Sequence, residues 1–154
     1  MRYMNTPSSK TFDILWADLD PNGHMRHTAY MDYAAQARVD FLHDCGFTLE
    51  RFQHLRIGPV LLQEETRYLH EVRANERISV TTEITGLSSN GKHWRIRHRI
   101  YRAGGELVCV VSVQGAWLDL AARKVVPAPA ELREAMRNAS RADDYAEFTA
   151  QKIA

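Results

Sequence analysis

Asp18, Asp20 and Asn22 place three oxygen acceptors within five residues, and Gly23, His24 and His27 follow closely. Pro21-Asn22-Gly23 reads as a turn, and helical spacing begins just beyond it. A carboxylate in that position lies beside backbone N–H groups that have no partner within the helix and sit at its positive end. A base or nucleophile next to such donors is what acyl transfer needs, because the donors receive the charge that develops on the carbonyl oxygen. From spacing alone, the simpler reading of Asp20 is a turn or capping carboxylate. Asp18 is expected to order the turn. Gly23 either lets backbone approach a ligand or only supplies turn geometry. His24 either orients Asp20 or a water, or is packed and hydrogen-bonded.

Two metal readings compete for the same residues. Asp18, Asp20, Asn22 and Gly23 fit positions 1, 3, 5 and 6 of a calcium loop, but Ala29 stands where the bidentate Glu belongs. A transition-metal site from Asp20, His24 and His27 is the stronger rival, although the direction of side chains in a turn is not set by spacing. The expectation is no metal and no cofactor.

The elements that must position these residues follow from periodicity. Thr11–Trp16 alternates through Phe12, Ile14 and Trp16, which predicts a first strand with one buried face. From about Thr28 to Gly46, Tyr30, Tyr33, Ala34, Ala37 and Phe41 form a helical stripe, broadened by Met31, Ala35 and Leu42, with Gly46 as its C-cap. Residues 47–57 are a connector with some helical character. Period two then returns: Val60, Leu62, Glu64, Thr66 and Tyr68 share one face of a strand, and Arg77–Thr85 forms the next. Asn90-Gly91 in SSNGK is a hairpin signal. His93–Tyr101 and Leu107–Trp117 are further strands; the latter is apolar on both faces, as a central or interface strand would be. Ala130–Asn138 reads as a short helix, and the last dozen residues, which are polar, are expected to fray. One helix followed by antiparallel strands joined by short turns gives an α+β architecture.

The 154 residues suit a single domain spanning 1–154, with its core at about 11–127. A net charge of +1 supplies no basic excess, so nucleic acid is not expected as a partner. No apolar run reaches the ~18 residues of a membrane span, and MRYMNTPSSK lacks a signal-peptide core. A cytoplasmic protein without a membrane partner is expected. Cys45 and Cys109 are too few for a disulfide framework and sit in apolar patterns, so both read as structural.

The chain resembles the 4-hydroxybenzoyl-CoA thioesterase-like branch of the hotdog-fold acyl-CoA thioesterases. The resemblance rests on Asp18-Leu19-Asp20-Pro21-Asn22-Gly23-His24-Met25, then on Tyr30, Tyr33, Ala37-Arg38 and Phe41-Leu42 before Gly46. Weaker support comes from Tyr68-Leu69, Glu76-Arg77-Ile78 and Asp119…Arg123-Lys124, so that it covers about Phe12 to Pro127. It implies a hotdog fold, an antiparallel sheet wrapped around one long helix, in a homodimer or a dimer of dimers with sites between subunits. It assigns the catalytic carboxylate to Asp20 and the oxyanion contact to a backbone N–H near His27. Many members carry Asn-Asn where this chain has Arg26-His27. Gly23, His24, His27, Thr28 and Tyr30 are the oxyanion and substrate-binding candidates at the helix start, Tyr30 as pocket wall or simply as core. By the same analogy Gly58 and Val60 flank the partner's helix start. Asp32 is the rival base, since another hotdog branch draws its carboxylate from the long helix.

The implied reaction is hydrolysis of an acyl-CoA thioester. Its leaving thiolate belongs to an acid of pKa ~8.5, so no strong general acid is required. Asp20 would either activate water or attack the carbonyl to give an anhydride. A non-catalytic acyl-CoA binder and a hydratase are the alternatives on the same fold. Lys92, Arg95, Arg97 and Arg99 could meet coenzyme A phosphates, but charged residues alternating outward on a strand are more often a solvated face.

Overall fold

Alternating apolar residues build a six-stranded antiparallel sheet in residues 7–150, the part of the chain that the computed structural model describes. The strands are β1 (Ser8–Asp13), β2 (Ile57–Tyr68), β3 (Arg77–Leu87), β4 (His93–Arg102), β5 (Leu107–Asp119) and β6 (Lys124–Val125). They lie in the order β1-β3-β4-β5-β2, with β6 paired to the end of β5. Three helices accompany them: α1 (Ala29–Asp44), α2 (Leu49–Leu55) and α3 (Ala130–Asn138). The fold is α+β, with α3 where a short helix was expected and α2 added to the one long helix. Thr48 caps α2 by accepting the Arg51 N–H, which turns half of the expected connector into a helix.

α1 packs on β1, β3 and β5. It buries Ala29, Tyr30, Ala34, Ala37, Phe41 and Leu42 against Ile78, Val80, Ile84, Ile96, Ile100 and Val111 of the sheet. Small residues at 34 and 37 let the helix axis come close. In the register, Ile84 faces Ile96, Ile96 faces Val113, and Val113 faces Glu64. The inner face therefore runs from aliphatic in its middle to carboxylate at the β2 edge. Gly115 belongs to this face because a Cβ there would lie 2.1 Å from the Trp94 ring.

Three expectations fail for identifiable reasons. The first strand ends at Asp13, and Trp16, expected in its buried face, is 88% exposed. The Asp18 carboxylate accepts the Leu15 N–H and bends residues 16–18 into a 3₁₀ turn. A bulge between Leu61 and Gln63 resets the alternation of β2. Leu61 and Pro59, rather than Leu62 and Val60, then stand opposite the inward Gly115 and Trp117.

The residues after α3 do not fray within the described region. A second bulge, between Ile84 and Gly86, opens the edge of β3 just past the point where β1 ends. Residues 140–148 take that edge: Ile84 N–H donates to Ser140 O at 3.0 Å, Ala142 N–H to Ile84 O at 2.9 Å and Phe148 N–H to Leu87 O at 3.2 Å. A Cβ at Gly86 would meet Ala146 O at 2.8 Å. This strap also covers the arginine face. Arg97 is held in a fork by Asp144 at 2.8 and 3.0 Å, Arg97 and Arg99 both pair with buried Glu83, and Arg95 stacks on Phe148. Arg97 and Arg99 are thus neutralised in place, whereas Arg95 stays exposed, with the Gln114 amide and the Phe148 ring as its partners.

A buried polar link crosses the inner face. Arg38 of α1 donates to His98 Nε2 at 2.9 Å, and His98 Nδ1 lies 3.0 Å from Thr82 Oγ1 and 3.3 Å from Thr81 O. The donor at Nε2 fixes the tautomer with the proton on Nδ1. Burial, aided by the Arg38 charge and opposed by the Thr81 carbonyl, pushes the imidazole down from 6.5 to about 3. The folded state keeps the ring neutral where the unfolded chain would protonate it. Stability is therefore lost as pH falls from about 6.5 towards 3, at up to ~1.4 kcal/mol per pH unit. The melting temperature should fall more steeply between pH 7 and pH 5 in the native chain than in His98→Gln, whose amide oxygen can take the same Arg38 donor. Equal slopes would show that His98 does not couple to folding.

Candidate active site

Leu19 and Met25 pair as a short antiparallel bridge, and Asp20–His24 is the turn between them. Asp20 N–H donates to His24 O at 2.8 Å and Gly23 N–H to Asp20 O at 3.0 Å. The Asp20 carboxylate closes the turn from inside: Oδ1 accepts the N–H of Asn22 at 2.8 Å and of His24 at 3.2 Å. This is the side-chain turn that Asp forms readily. Gly23 has φ +76°, a conformation that favours glycine. Among the described residues no hydrogen bond uses Asp20 Oδ2. The turn thus holds one oxygen and presents the other.

His24 serves Asp20 through its backbone, because its ring turns away to Glu71, 3.3 Å from Nε2. His27 is exposed. Among the described residues, no cluster of three or more His, Cys, Asp or Glu side chains suits a metal ion.

A second network ties the turn to α1. Asp18 is buried; its Oδ2 takes the Leu15 N–H and the Tyr33 hydroxyl. Arg26 N–H donates to Asp18 O at 2.7 Å, and the Arg26 guanidinium lies 3.7 Å from both the Asp18 and Asp32 carboxylates. Asp32 thus faces solvent beside Arg26, on the Asp18 side of the turn. Burial, then the bond to Asp18, holds the Tyr33 phenol up at about 12.

The helix proper begins at Ala29, whose N–H goes to Arg26 O at 3.0 Å. Thr28 occupies the cap position but makes no side-chain cap, because its hydroxyl meets the Arg26 guanidinium instead. No side chain of this residue therefore covers the first-turn N–H groups, which lack intrahelical partners. Tyr68, at the end of β2, donates its hydroxyl to His27 O at 2.9 Å and meets the Tyr30 ring edge-on at 5.4 Å. Tyr30 is buried, and burial first, with Asp20 among the lesser contributors, keeps its phenol at about 12. Tyr33, Arg26, Tyr68 and Glu71 complete the site, although no role here was read for them in the sequence. Tyr33 and Tyr68 left a trace there as residues of the resemblance, and Arg26 as a departure from it.

Gly58 and Val60 are not brought to Asp20 within one chain. Tyr68 marks the Asp20 end of β2, and eight residues of strand, about 26 Å, separate it from Val60. Val60 instead borders an apolar cavity of about 160 Å³ between α1 and β2, whose walls include Val39, Leu42, Leu61, Trp94 and the side chain of Arg38. Gly58 lies against Leu120.

Residues 14–136 match the family model described as the thioesterase-like superfamily. Solved structures share the whole architecture. A hypothetical protein of Staphylococcus aureus, determined in complex with CoA, superposes with a TM-score of 0.82 over 98% of this chain and 99% of its own, at 17% identity. A 1,4-dihydroxy-2-naphthoyl-CoA thioesterase from Synechocystis gives 0.77 over 86% and 96%, at 16% identity. A gentisyl-coenzyme A thioesterase gives 0.74 over 83% and 98%, at 19% identity. Such identities establish likeness of fold. Comparison with curated proteins gives no match.

The two acids beside Arg26 should behave differently. Asp18 has 12% of its side chain exposed and two donors to satisfy, whereas Asp32 has 75% exposed. In urea unfolding, Asp18→Ala should cost about 2–3 kcal/mol and Asp32→Ala less than about 0.5 kcal/mol. Similar small losses would mean that the buried network adds nothing.

Proposed function

The chain belongs to the thioesterase-like superfamily, and from that membership we propose that it hydrolyses acyl-CoA thioesters with Asp20 as base or nucleophile. The observation that carries this reading is the Asp20 turn, with Oδ1 fixed by two backbone N–H groups and Oδ2 presented beside the start of α1. Fixing a reacting carboxylate before substrate arrives removes part of the orientational cost of the reaction. Along the first route, Asp20 takes a proton from a water that attacks the thioester carbonyl. Along the second, Oδ2 attacks, the thiolate departs, and water cleaves the resulting anhydride. In both, the carbonyl oxygen lies against N–H groups at the helix start, near His27 and Thr28. The Tyr68 hydroxyl, by holding His27 O, sets the direction of the neighbouring peptides.

The acyl group is placed in the apolar cavity bordered by Val60, and this requires a second copy of the chain. β2 is an open edge of the sheet, which proteins rarely leave unpaired at such length. A two-fold axis beside its centre pairs it antiparallel with the partner's β2. Gly58 and Val60 of one subunit then meet the Asp20 turn of the other, which we take as the composition of each site. The same reading puts the protein in the cytoplasm, in keeping with two free cysteines.

Free-thiol release across a panel of acyl-CoAs should reveal one class of substrate, with turnover falling ~10²–10⁴-fold in Asp20→Ala. Turnover that survives the substitution would remove Asp20 from the chemistry, and binding without turnover would identify a carrier or binder. Shared sites make a further demand. Asp20→Ala and Val60→Asp chains, each inactive alone, should recover about a quarter of native activity when co-refolded in equal amounts, because half the dimers then hold one intact site. No recovery would place each site within one subunit.

A further inference from the structure

Beneath the C-terminal strap lies a cavity of about 300 Å³, bounded by the turn between β3 and β4, by α3 and by residues 141–147. It stands at the far end of β3 from the Asp20 turn and has no part in the mechanism above. Arg133 and Arg137 of α3, Arg141 of the strap and His93 of β4 all line it, and Glu147 is the one carboxylate among its described lining residues. Elsewhere the chain neutralises such groups: Arg97 and Arg99 share Glu83 and Asp144. Among the described residues none of the three cavity arginines forms an ion pair. Arg141 Nε and His93 Nδ1 are buried and lack any hydrogen-bond partner among those residues.

The cations are also held in place. Arg141 stacks over the Tyr145 ring at 4.2 Å. The Arg133 side chain crosses Gly91 so closely that a Cβ there would lie 2.9 Å from its Cδ. Gathering arginines around a concave space, with the buried Arg141 Nε–H unmet, is unfavourable unless an anion completes the site. The net charge of the whole chain is only +1, so this concentration is local.

We propose that this cavity binds a phosphoryl group. Guanidinium forks match its oxygens two at a time, and a phosphomonoester carries about −1.5 to −2 at neutral pH. A carboxylate, with a single charge, would leave most of the cluster uncompensated. The volume is at the lower end of the ~300–1,000 Å³ typical of small-ligand sites, enough for the phosphoryl group and part of the molecule bearing it. That molecule is either coenzyme A, through its 3′-phosphate, or a free phosphorylated compound. Only the first of these rests on the thioesterase reading.

Titration calorimetry of the full chain with inorganic phosphate should show saturable binding at one site. Arg137→Ala, at an exposed position on α3, and Arg133→Lys, which keeps the charge but not the fork, should each weaken it about tenfold or more. Arg77→Ala, at the opposite end of β3, should leave it unchanged. Coenzyme A binding more tightly than its 3′-dephospho form, with the difference erased in Arg137→Ala, assigns the site to the thioester carrier. Equal binding of the two, with phosphate binding intact, assigns it to a free phosphorylated molecule. Phosphate binding that does not saturate, or that ignores both arginine substitutions, overturns the proposal. Thiol release measured on the same variants reports on the Asp20 reading separately, since the phosphate response needs no turnover.

Discussion

The contact between Arg38 and His98 fixes where the helix sits on the sheet. Apart from the Lys10–Asp44 ion pair at its rim, the rest of that interface is aliphatic and aromatic, and such surfaces tolerate small rotations and slips because dispersion has little direction. A guanidinium donating to one ring nitrogen, with the other nitrogen engaged by β3, permits one arrangement. It comes at a cost, since a largely buried charge and a neutral imidazole must both be desolvated. What is gained is a defined position for the N-terminus of α1, two and a half turns away.

That N-terminus is fixed a second time by the groups around Asp18. Tyr33 reaches from the helix to the Asp18 carboxylate, Leu15 reaches it from the incoming chain, and Arg26 spans the space between. Tyr68 adds a clamp from the sheet. Asp20 itself is held only by backbone of its own turn, so the groups that locate the turn and those that aim its carboxylate are separate. This division lets the buried acid be structural while its neighbour two residues on stays available.

Periodicity made most of the fold legible. The helix over α1, the hairpin at Asn90-Gly91 and the strands from Arg77 to Trp117 follow from spacing that burial then rewards. What could not be read depends on partners distant in sequence. Nothing in Leu61-Leu62-Gln63 marks a bulge, because its cause lies in the pairing with β5. The tail after α3 is polar in composition, yet its backbone finds the vacant β3 edge and its Asp144 finds Arg97. At the candidate site, residue type and turn context alone made Asp20 a turn or capping carboxylate, and the resemblance gave it the catalytic part. The hydrogen bonds that aim it come from backbone N–H groups, which no sequence displays. Gly58 and Val60 were set by resemblance beside the helix start of a partner subunit, and their own chain keeps them a strand's length from its Asp20.

The manner in which β3 is completed bears on synthesis. Among the described residues, its edge beyond Ile84 is satisfied by residues near 140–148, which are translated almost sixty positions later. At ~5–20 residues per second, that edge waits roughly 3–12 s on the ribosome. During this interval the nascent sheet offers open backbone beside Arg97, whose second acidic partner, Asp144, has yet to emerge. A chaperone that recognises extended, basic segments would find its window there, and slow codons in the intervening stretch would lengthen it.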